Sequence, residues 1–205
     1  MADFQSAVRR LLGLEGGYQN HPSDSGNYNS LGQLAGTNRG IAAPTLEGWL
    51  GHPPLASEMK NLSESTAREI YFARYWKPIR GGEIKWQPVA EIFFDAAAQY
   101  GVGGASKMMQ RVLNVAIDGQ VGPVTIAAIN AANPQKLFND FKQARAARYQ
   151  EIVDNDPDKG AFLDGWLNRL ATFNWIPTAA GGKKLALLPI FFIGLAVVNR
   201  KSLFG

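Results

Sequence analysis

Two carboxylate side chains near the start of the chain are candidates for acid–base chemistry. Glu15 extends an apolar stripe that contains Phe4, Val8 and Leu11, and Asp24 lies in a polar, glycine-rich stretch after eight intervening residues. Partial desolvation favours a protonated carboxylic acid, whereas a carboxylate among polar loop residues stays ionised. Glycoside hydrolysis uses such a pair, with one acid for the glycosidic oxygen and one carboxylate as nucleophile, water orienter or stabiliser of the oxocarbenium ion. The alternative, that one residue only ends a helix and the other only caps a turn, stays open.

The composition excludes several other hydrolytic chemistries. The chain contains no cysteine, which excludes disulfide scaffolds, thiolate zinc sites and cysteine nucleophiles. His21 and His52 are its two histidines, too few for a histidine-rich metal centre. A serine hydrolase would have to use one of them as its base. Chemistry carried out by carboxylates remains open, and no metal or cofactor is implied.

The positive net charge of the chain comes from its C-terminal end. Residues 1–173 contain 17 basic and 17 acidic side chains, whereas residues 174–205 contain four basic and no acidic ones. A nucleic-acid-binding protein is expected to distribute its basic residues over a folded face, with aromatic residues among them. We therefore expect no nucleic-acid partner.

Helical patterns dominate the chain on both sides of one irregular stretch. Asp3 is placed to cap a first helix that Gly16 and Gly17 end. Residues 16–44 are rich in Gly, Asn, Ser and Asp, which is typical of a loop or a small irregular β-hairpin. Further helices are predicted from periodicity and helix-opening prolines over residues 63–76, 88–100, 105–114, 123 onward, 134–153 and 159–173. The predicted fold class is mainly α-helical, with a small β region after the first helix.

The C-terminal segment is a candidate membrane contact. Leu185 to Val198 form an apolar run between the pairs Lys183-Lys184 and Arg200-Lys201. As a helix these residues would span roughly 21 Å, less than the hydrocarbon core of about 30 Å. The cations on both sides favour an apolar helix in contact with a membrane. A helix that docks on the protein body or on a partner protein is the alternative.

The residues around the two carboxylates resemble a known family. Three segments resemble the opening of the glycoside hydrolase family 108 lysozymes of phages and bacteria. In order along the sequence they are Glu15-Gly16-Gly17-Tyr18, Asp24 with Gly26, and Thr37-Asn38-Arg39-Gly40-Ile41. The resemblance continues through Ile70-Tyr71, Tyr75-Trp76 and Asp95 with Gly101. It departs from the family at residue 99, where glutamine stands in place of the usual asparagine, and in a longer loop between Gly26 and Thr37.

A second stretch resembles the predicted peptidoglycan-binding region of these lysozymes. The matching residues are Met109, Gln110, Leu113, Asp118, Gly119, Gly122, Pro123, Thr125, Arg145, Arg148, Tyr149, Phe162, Gly165, Trp166 and Leu167. The resemblance implies a catalytic muramidase lobe over residues 1–104 and a helical peptidoglycan-binding-like lobe over residues 105–173. Residues 174–205 would form a linker and the apolar C-terminal segment.

The resemblance implies an N-acetylmuramidase that hydrolyses the β-1,4 bond between N-acetylmuramic acid and N-acetylglucosamine in peptidoglycan. Glu15 is expected to be the general acid, Asp24 the second carboxylate, and Thr37 an orienter of water or of Asp24. Asp95 as the second carboxylate and a mechanism with a single acid remain alternatives. The expected substrate contacts are Tyr18, Asn38, Tyr75 and Asp95.

Two other functions stay open. A lytic transglycosylase would use Glu15 alone for both proton transfers, and a non-catalytic, membrane-tethered wall-binding or virion protein would use no acid at all. The N-terminus has no basic region followed by an apolar stretch, so no signal peptide is expected. We expect action in the periplasm or cell wall, as in a phage endolysin, with delivery by a holin, a virion or the C-terminal segment.

Overall fold

Eight α-helices and one short β-hairpin make up most of residues 1–176, the part of the chain that the computed structural model describes. The helices are α1 Phe4–Leu14, α2 Ala43–Leu50, α3 Ala56–Lys60, α4 Glu64–Tyr71, α5 Gln87–Leu113, α6 Pro123–Ala131, α7 Pro134–Asn155 and α8 Gly160–Ala171. The strands are β1 Thr37–Asn38 and β2 Ile41–Ala42. The prediction of a mainly helical fold with a small β region is confirmed.

Helix α1 places Glu15 at its C-terminal end. The Asp3 carboxylate accepts a hydrogen bond from the Ser6 backbone N–H at 2.6 Å, which caps the helix as predicted. Val8 and Leu11 face the core and are buried. The backbone turns extended at Glu15, with φ −88° and ψ 143°, so the helix ends there. Glu15 therefore lies at the junction between the helix and the irregular region that follows it.

The β-hairpin brings the Thr37-to-Ile41 motif back toward this helix end. Strands β1 and β2 are antiparallel, with Thr37 opposite Ala42. The turn between them places Arg39 at φ 52° and Gly40 at φ 72°. An isolated bridge pairs Thr37 with Gln19, four residues after Glu15. Of the two predictions for residues 16–44, a loop or a small irregular β-hairpin, the structure shows the hairpin.

Helix α4 continues into a π-helical turn, Phe72–Trp76, where a single regular helix was predicted. The wider turn leaves both Tyr71 and Trp76 buried. The Trp76 ring packs against Phe4 and Phe94, with ring centroids 5.7 Å and 5.4 Å apart. This aromatic cluster joins α1, the π-helical turn and α5.

Helix α5 is the central element, and it runs across the predicted boundary at residue 104. Two helices were predicted here, separated by glycines. The structure has one long element with a kink at Gly101, where φ 74° and ψ 158° depart from helical values. Glycine adopts this positive φ without the steric cost that a Cβ brings. Phe93 of α5 packs against Phe141 of α7, with ring centroids 5.8 Å apart.

The apolar segment Leu185 to Val198 lies outside the described residues, and so does the helix predicted there. In residues 1–176, no helix has the length and apolar character needed to cross a membrane.

Candidate active site

Glu15 is held between a glycine turn and an arginine. Its side chain is 19% exposed, and Oε1 accepts a hydrogen bond from Arg169 Nη2 at 2.7 Å. Gly40 faces its other oxygen so closely that a Cβ there would lie 2.6 Å from Glu15 Oε2 and would also meet the Tyr71 hydroxyl. Gly40 itself is exposed. The carboxyl therefore lies behind an exposed turn that has room only for glycine.

Tyr71 forms the floor beside Glu15. Its hydroxyl donates a hydrogen bond to the Arg39 carbonyl at 3.1 Å, which anchors the hairpin turn. Burial raises the pKa of Tyr71 far above its ordinary value, and the negative charge of Glu15 raises it further. The phenol therefore stays neutral over the physiological pH range and acts here as a hydrogen-bond donor.

Arg169, from α8, bridges two carboxylates. Its Nη2 lies 2.7 Å from Glu15 Oε1 and 2.7 Å from Asp95 Oδ1, and its Nε lies 3.1 Å from the same Asp95 oxygen. Burial by itself would lower the pKa of Arg169, but the charges and hydrogen bonds of Asp95 and Glu15 raise it above its ordinary value. The guanidinium is therefore a fixed positive charge beside Glu15.

Asp95 connects this arginine to a second, fully buried one. Its Oδ2 accepts from Arg145 Nη2 at 2.6 Å, and the two side chains are 2% and 0% exposed. Arg145 also donates to the Ile92 carbonyl at 3.2 Å and to Gln99 Oε1 at 2.7 Å. The Tyr149 hydroxyl donates to the same Gln99 oxygen at 2.7 Å. Ion pairs thus link Glu15, Arg169, Asp95 and Arg145 into one network that extends from the exposed turn into the core.

Asp24 and Thr37 belong to one hydrogen-bonded network in the loop region. The exposed Asp24 accepts from the Gly26 backbone N–H at 2.9 Å and from Gln19 Nε2 at 3.2 Å. The Thr37 hydroxyl donates to Asn27 Oδ1 at 2.7 Å. Gln19 and Asn27 join these two halves, because their amides exchange hydrogen bonds of 3.1 Å and 2.9 Å. Two of the predicted catalytic residues are thereby brought together around Gln19.

The four predicted substrate contacts occupy different environments. Tyr18 and Tyr75 are half-buried, and the Tyr75 ring lies 5.7 Å from that of Tyr71. Asn38 is buried and donates to the Met59 carbonyl at 2.9 Å, so its amide ties the hairpin to α3. Asp95 is buried with both oxygens bound by arginine. The structure does not place Asn38 or Asp95 where a substrate could reach them, because their polar atoms are turned into the protein.

Arg169 is a residue of the site that no sequence pattern indicates. The residue lies 154 positions from Glu15, on the last described helix. An arginine in the last turn of a helix is common, and nothing in its local spacing distinguishes it. Gly40 belongs to a motif that was identified, but its contact with Glu15 becomes visible only in three dimensions.

The arrangement offers acid–base chemistry from protein side chains. In residues 1–176, no group of three or more His, Asp or Glu side chains is disposed to hold a metal ion. Glu15 is the carboxyl that combines partial exposure with a fixed cationic partner and a glycine turn in front of it. It can exchange a proton with a group that reaches the turn.

Comparison with protein families divides the chain into two matched regions. Residues 8–101 match the model of the family described as Glycosyl hydrolase 108. Residues 104–171 match the model described as Predicted Peptidoglycan domain. Glu15 and Asp95 therefore lie in the first region, and Arg145 and Arg169 in the second.

Comparison with solved structures gives a relative of similar length. The structure of Brucella abortus SagA is similar to this chain, with a TM-score of 0.71 and 30% sequence identity. The match covers 83% of this chain and 90% of that one. No curated protein sequence matches this chain.

The fold, the site and these matches define a glycosidase that acts on peptidoglycan, and hence on the cell wall. The chain belongs to glycoside hydrolase family 108.

Proposed function

We propose that the protein is an N-acetylmuramidase that hydrolyses the β-1,4 bond between N-acetylmuramic acid and N-acetylglucosamine, with Glu15 as the proton donor. The position of Glu15 is the observation that supports this most strongly. Its carboxyl is held by Arg169 on one side and lies behind the exposed Gly40 turn on the other. A general acid needs both properties, because it must be fixed in the protein and still within reach of the substrate.

In the proposed reaction, protonated Glu15 gives its proton to the glycosidic oxygen as the bond from that oxygen to the anomeric carbon of the muramyl sugar breaks. The N-acetylglucosamine leaves with a free 4-hydroxyl, and positive charge develops on the muramyl ring. Water then adds to the anomeric carbon and gives up a proton, which a carboxylate of the site accepts and which finally restores protonated Glu15, and the product has a reducing muramyl end. Asp24, held by Gln19 and linked to Thr37 through that network, is the proposed second carboxylate.

The products released from purified peptidoglycan by the full chain test this proposal. We expect mass spectrometry to detect muropeptides with reducing N-acetylmuramic acid ends. Products lighter by one water would contain an anhydro sugar and would identify a lytic transglycosylase instead. A folded protein that releases nothing but binds the wall would be a non-catalytic wall-binding protein.

Asp24→Asn tests the second carboxylate. Asparagine can still accept the hydrogen bond from the Gly26 N–H, so the turn is preserved while the negative charge is lost. We expect the rate of hydrolysis to fall about 10²-fold with little change in thermal stability. A rate equal to that of the wild type would show that Asp24 only caps the turn, and a single-acid mechanism would then be favoured.

We further propose an endolysin role in phage lysis or entry. Delivery by a holin or a virion, and membrane contact through Leu185 to Val198, are part of that proposal. The membrane contact rests on the apolar run and its flanking cations, which lie outside the described residues.

A further inference from the structure

Helix α8 contributes a side chain to the proposed active site from the region that matches the peptidoglycan domain. Arg169 lies within residues 104–171, whereas Glu15 lies within residues 8–101. The two side chains meet at 2.7 Å, and they are 16% and 19% exposed. Water screens such a partly buried contact less than it screens one at the open surface.

Glu15 lies at one end of a row of charged side chains. The groups that face it are Arg169 from α8 and the hydroxyl of Tyr71 from α4, and the latter stays neutral. Behind Arg169 lie Asp95 from α5 and Arg145 from α7. With Glu15 protonated, this array contains two positive charges and one negative charge. Once Glu15 has given up its proton, the charges balance.

A general acid becomes a carboxylate as the leaving group departs, so a cation placed beside it acts where negative charge develops. We propose that Arg169 is a positioning residue that stabilises the carboxylate of Glu15 as its proton moves to the glycosidic oxygen. The second matched region is then part of the catalytic machinery and not only a means of holding the wall. This inference rests on the proposed role of Glu15 as the proton donor.

Asp95 and Arg145 hold the Arg169 guanidinium in its position beside Glu15. Two contacts from the Arg169 guanidinium to Asp95 Oδ1, at 2.7 Å and 3.1 Å, fix its orientation. Arg145 Nη2 binds the other Asp95 oxygen at 2.6 Å and so fixes that side chain in the core. Asp95 therefore acts through Arg169 and makes no contact with Glu15 of its own.

The pH dependence of peptidoglycan hydrolysis tests this role in the full chain. Its alkaline limb reports loss of the proton from the general acid. Arg169→Met and Arg169→Gln remove the cation, so we expect this limb to move to higher pH by about one unit or more and the maximal rate to fall about 10-fold. Arg169→Lys loses the planar guanidinium group but keeps the positive charge. Because the charge is kept, we expect the alkaline limb of this variant to stay near that of the wild type.

A purely structural role of Arg169 would give a different result. In that case every substitution would lower the thermal stability and the rate at all pH values without moving the limb, and the inference would be overturned. If Arg169→Met does not fold, the contrast between the Gln and Lys variants decides, and equal shifts in both would also overturn it. Lys136→Met removes an exposed cation from the same matched region and should leave the profile unchanged.

Glu15→Gln in the same assay separates this inference from the proposed function. An inactive Glu15→Gln together with an unmoved limb in Arg169→Gln contradicts the role of Arg169 alone. An active Glu15→Gln contradicts the proposed function, and the role of Arg169 is then overturned with it.

Discussion

Glu15→Gln is expected to lower the rate of peptidoglycan hydrolysis by at least about 10³-fold at the pH of maximal activity. The amide has the shape of the acid but no proton that it can release. Its oxygen can still accept the hydrogen bond from Arg169, and glutamine adds no atom toward Gly40. Release of soluble muropeptides from purified peptidoglycan is the measurement, with the thermal unfolding of each protein recorded alongside.

Glu69→Gln is a matched control for this variant. Glu69 lies exposed on α4, where its carboxylate accepts a long hydrogen bond of 3.4 Å from Ser65. We expect this variant to hydrolyse peptidoglycan at the wild-type rate. If Glu15→Gln were folded and retained more than about a tenth of the activity, another group would have to supply the proton.

Arg145→Met is expected to destabilise the protein by about 3 kcal/mol, a fall in Tm of roughly 10 °C. The methionine fills part of the same volume but leaves Asp95 Oδ2 and Gln99 Oε1 without their buried cationic partner. A carboxylate that loses one of two arginines in a dry site bears a desolvation cost that its remaining contact with Arg169 only partly offsets. Thermal or urea unfolding of the full chain measures this loss.

Arg148→Met, three residues further along α7, is the control for stability. Arg148 forms an ion pair with Glu151 at 2.8 Å, but the two side chains are 46% and 58% exposed. Because exposed ion pairs are worth little, we expect a change within about 0.5 kcal/mol. Equal unfolding curves for the two variants would show that the buried Asp95–Arg145 pair contributes no more than an exposed one.

The site is shared between the two regions that the family models match separately. Helix α5 runs from Gln87 to Leu113 through the gap between them, and it presents Asp95 to arginines of α7 and α8. Substitutions in residues 104–171 that disturb the packing of α8 should therefore affect the proposed catalysis.

Local patterns accounted for most of the elements that surround the site. The start of the first helix was predicted from Asp3 and its course from the apolar stripe of Val8 and Leu11. Its end was predicted from the glycines after Glu15, and the structure agrees. Capping and periodicity act over a few residues, so they can be seen in a sequence. The hairpin within residues 16–44 followed from its turn residues for the same reason. The kink at Gly101 was anticipated as an interruption, but α5 continues beyond it.

The surroundings of Glu15 arise from contacts between residues far apart in the chain. The sequence predicts Asp95 as a substrate contact or an alternative second carboxylate, whereas in the structure it lies in the core between two arginines. Arg169 reaches Glu15 across 154 residues because α8 packs on α7, and α7 packs on α5. An ion pair between distant helices requires no particular spacing and leaves no periodic signal in the sequence. Its partners are selected by the packing of the helices, which places one cation beside Glu15 and buries Asp95 between two arginines.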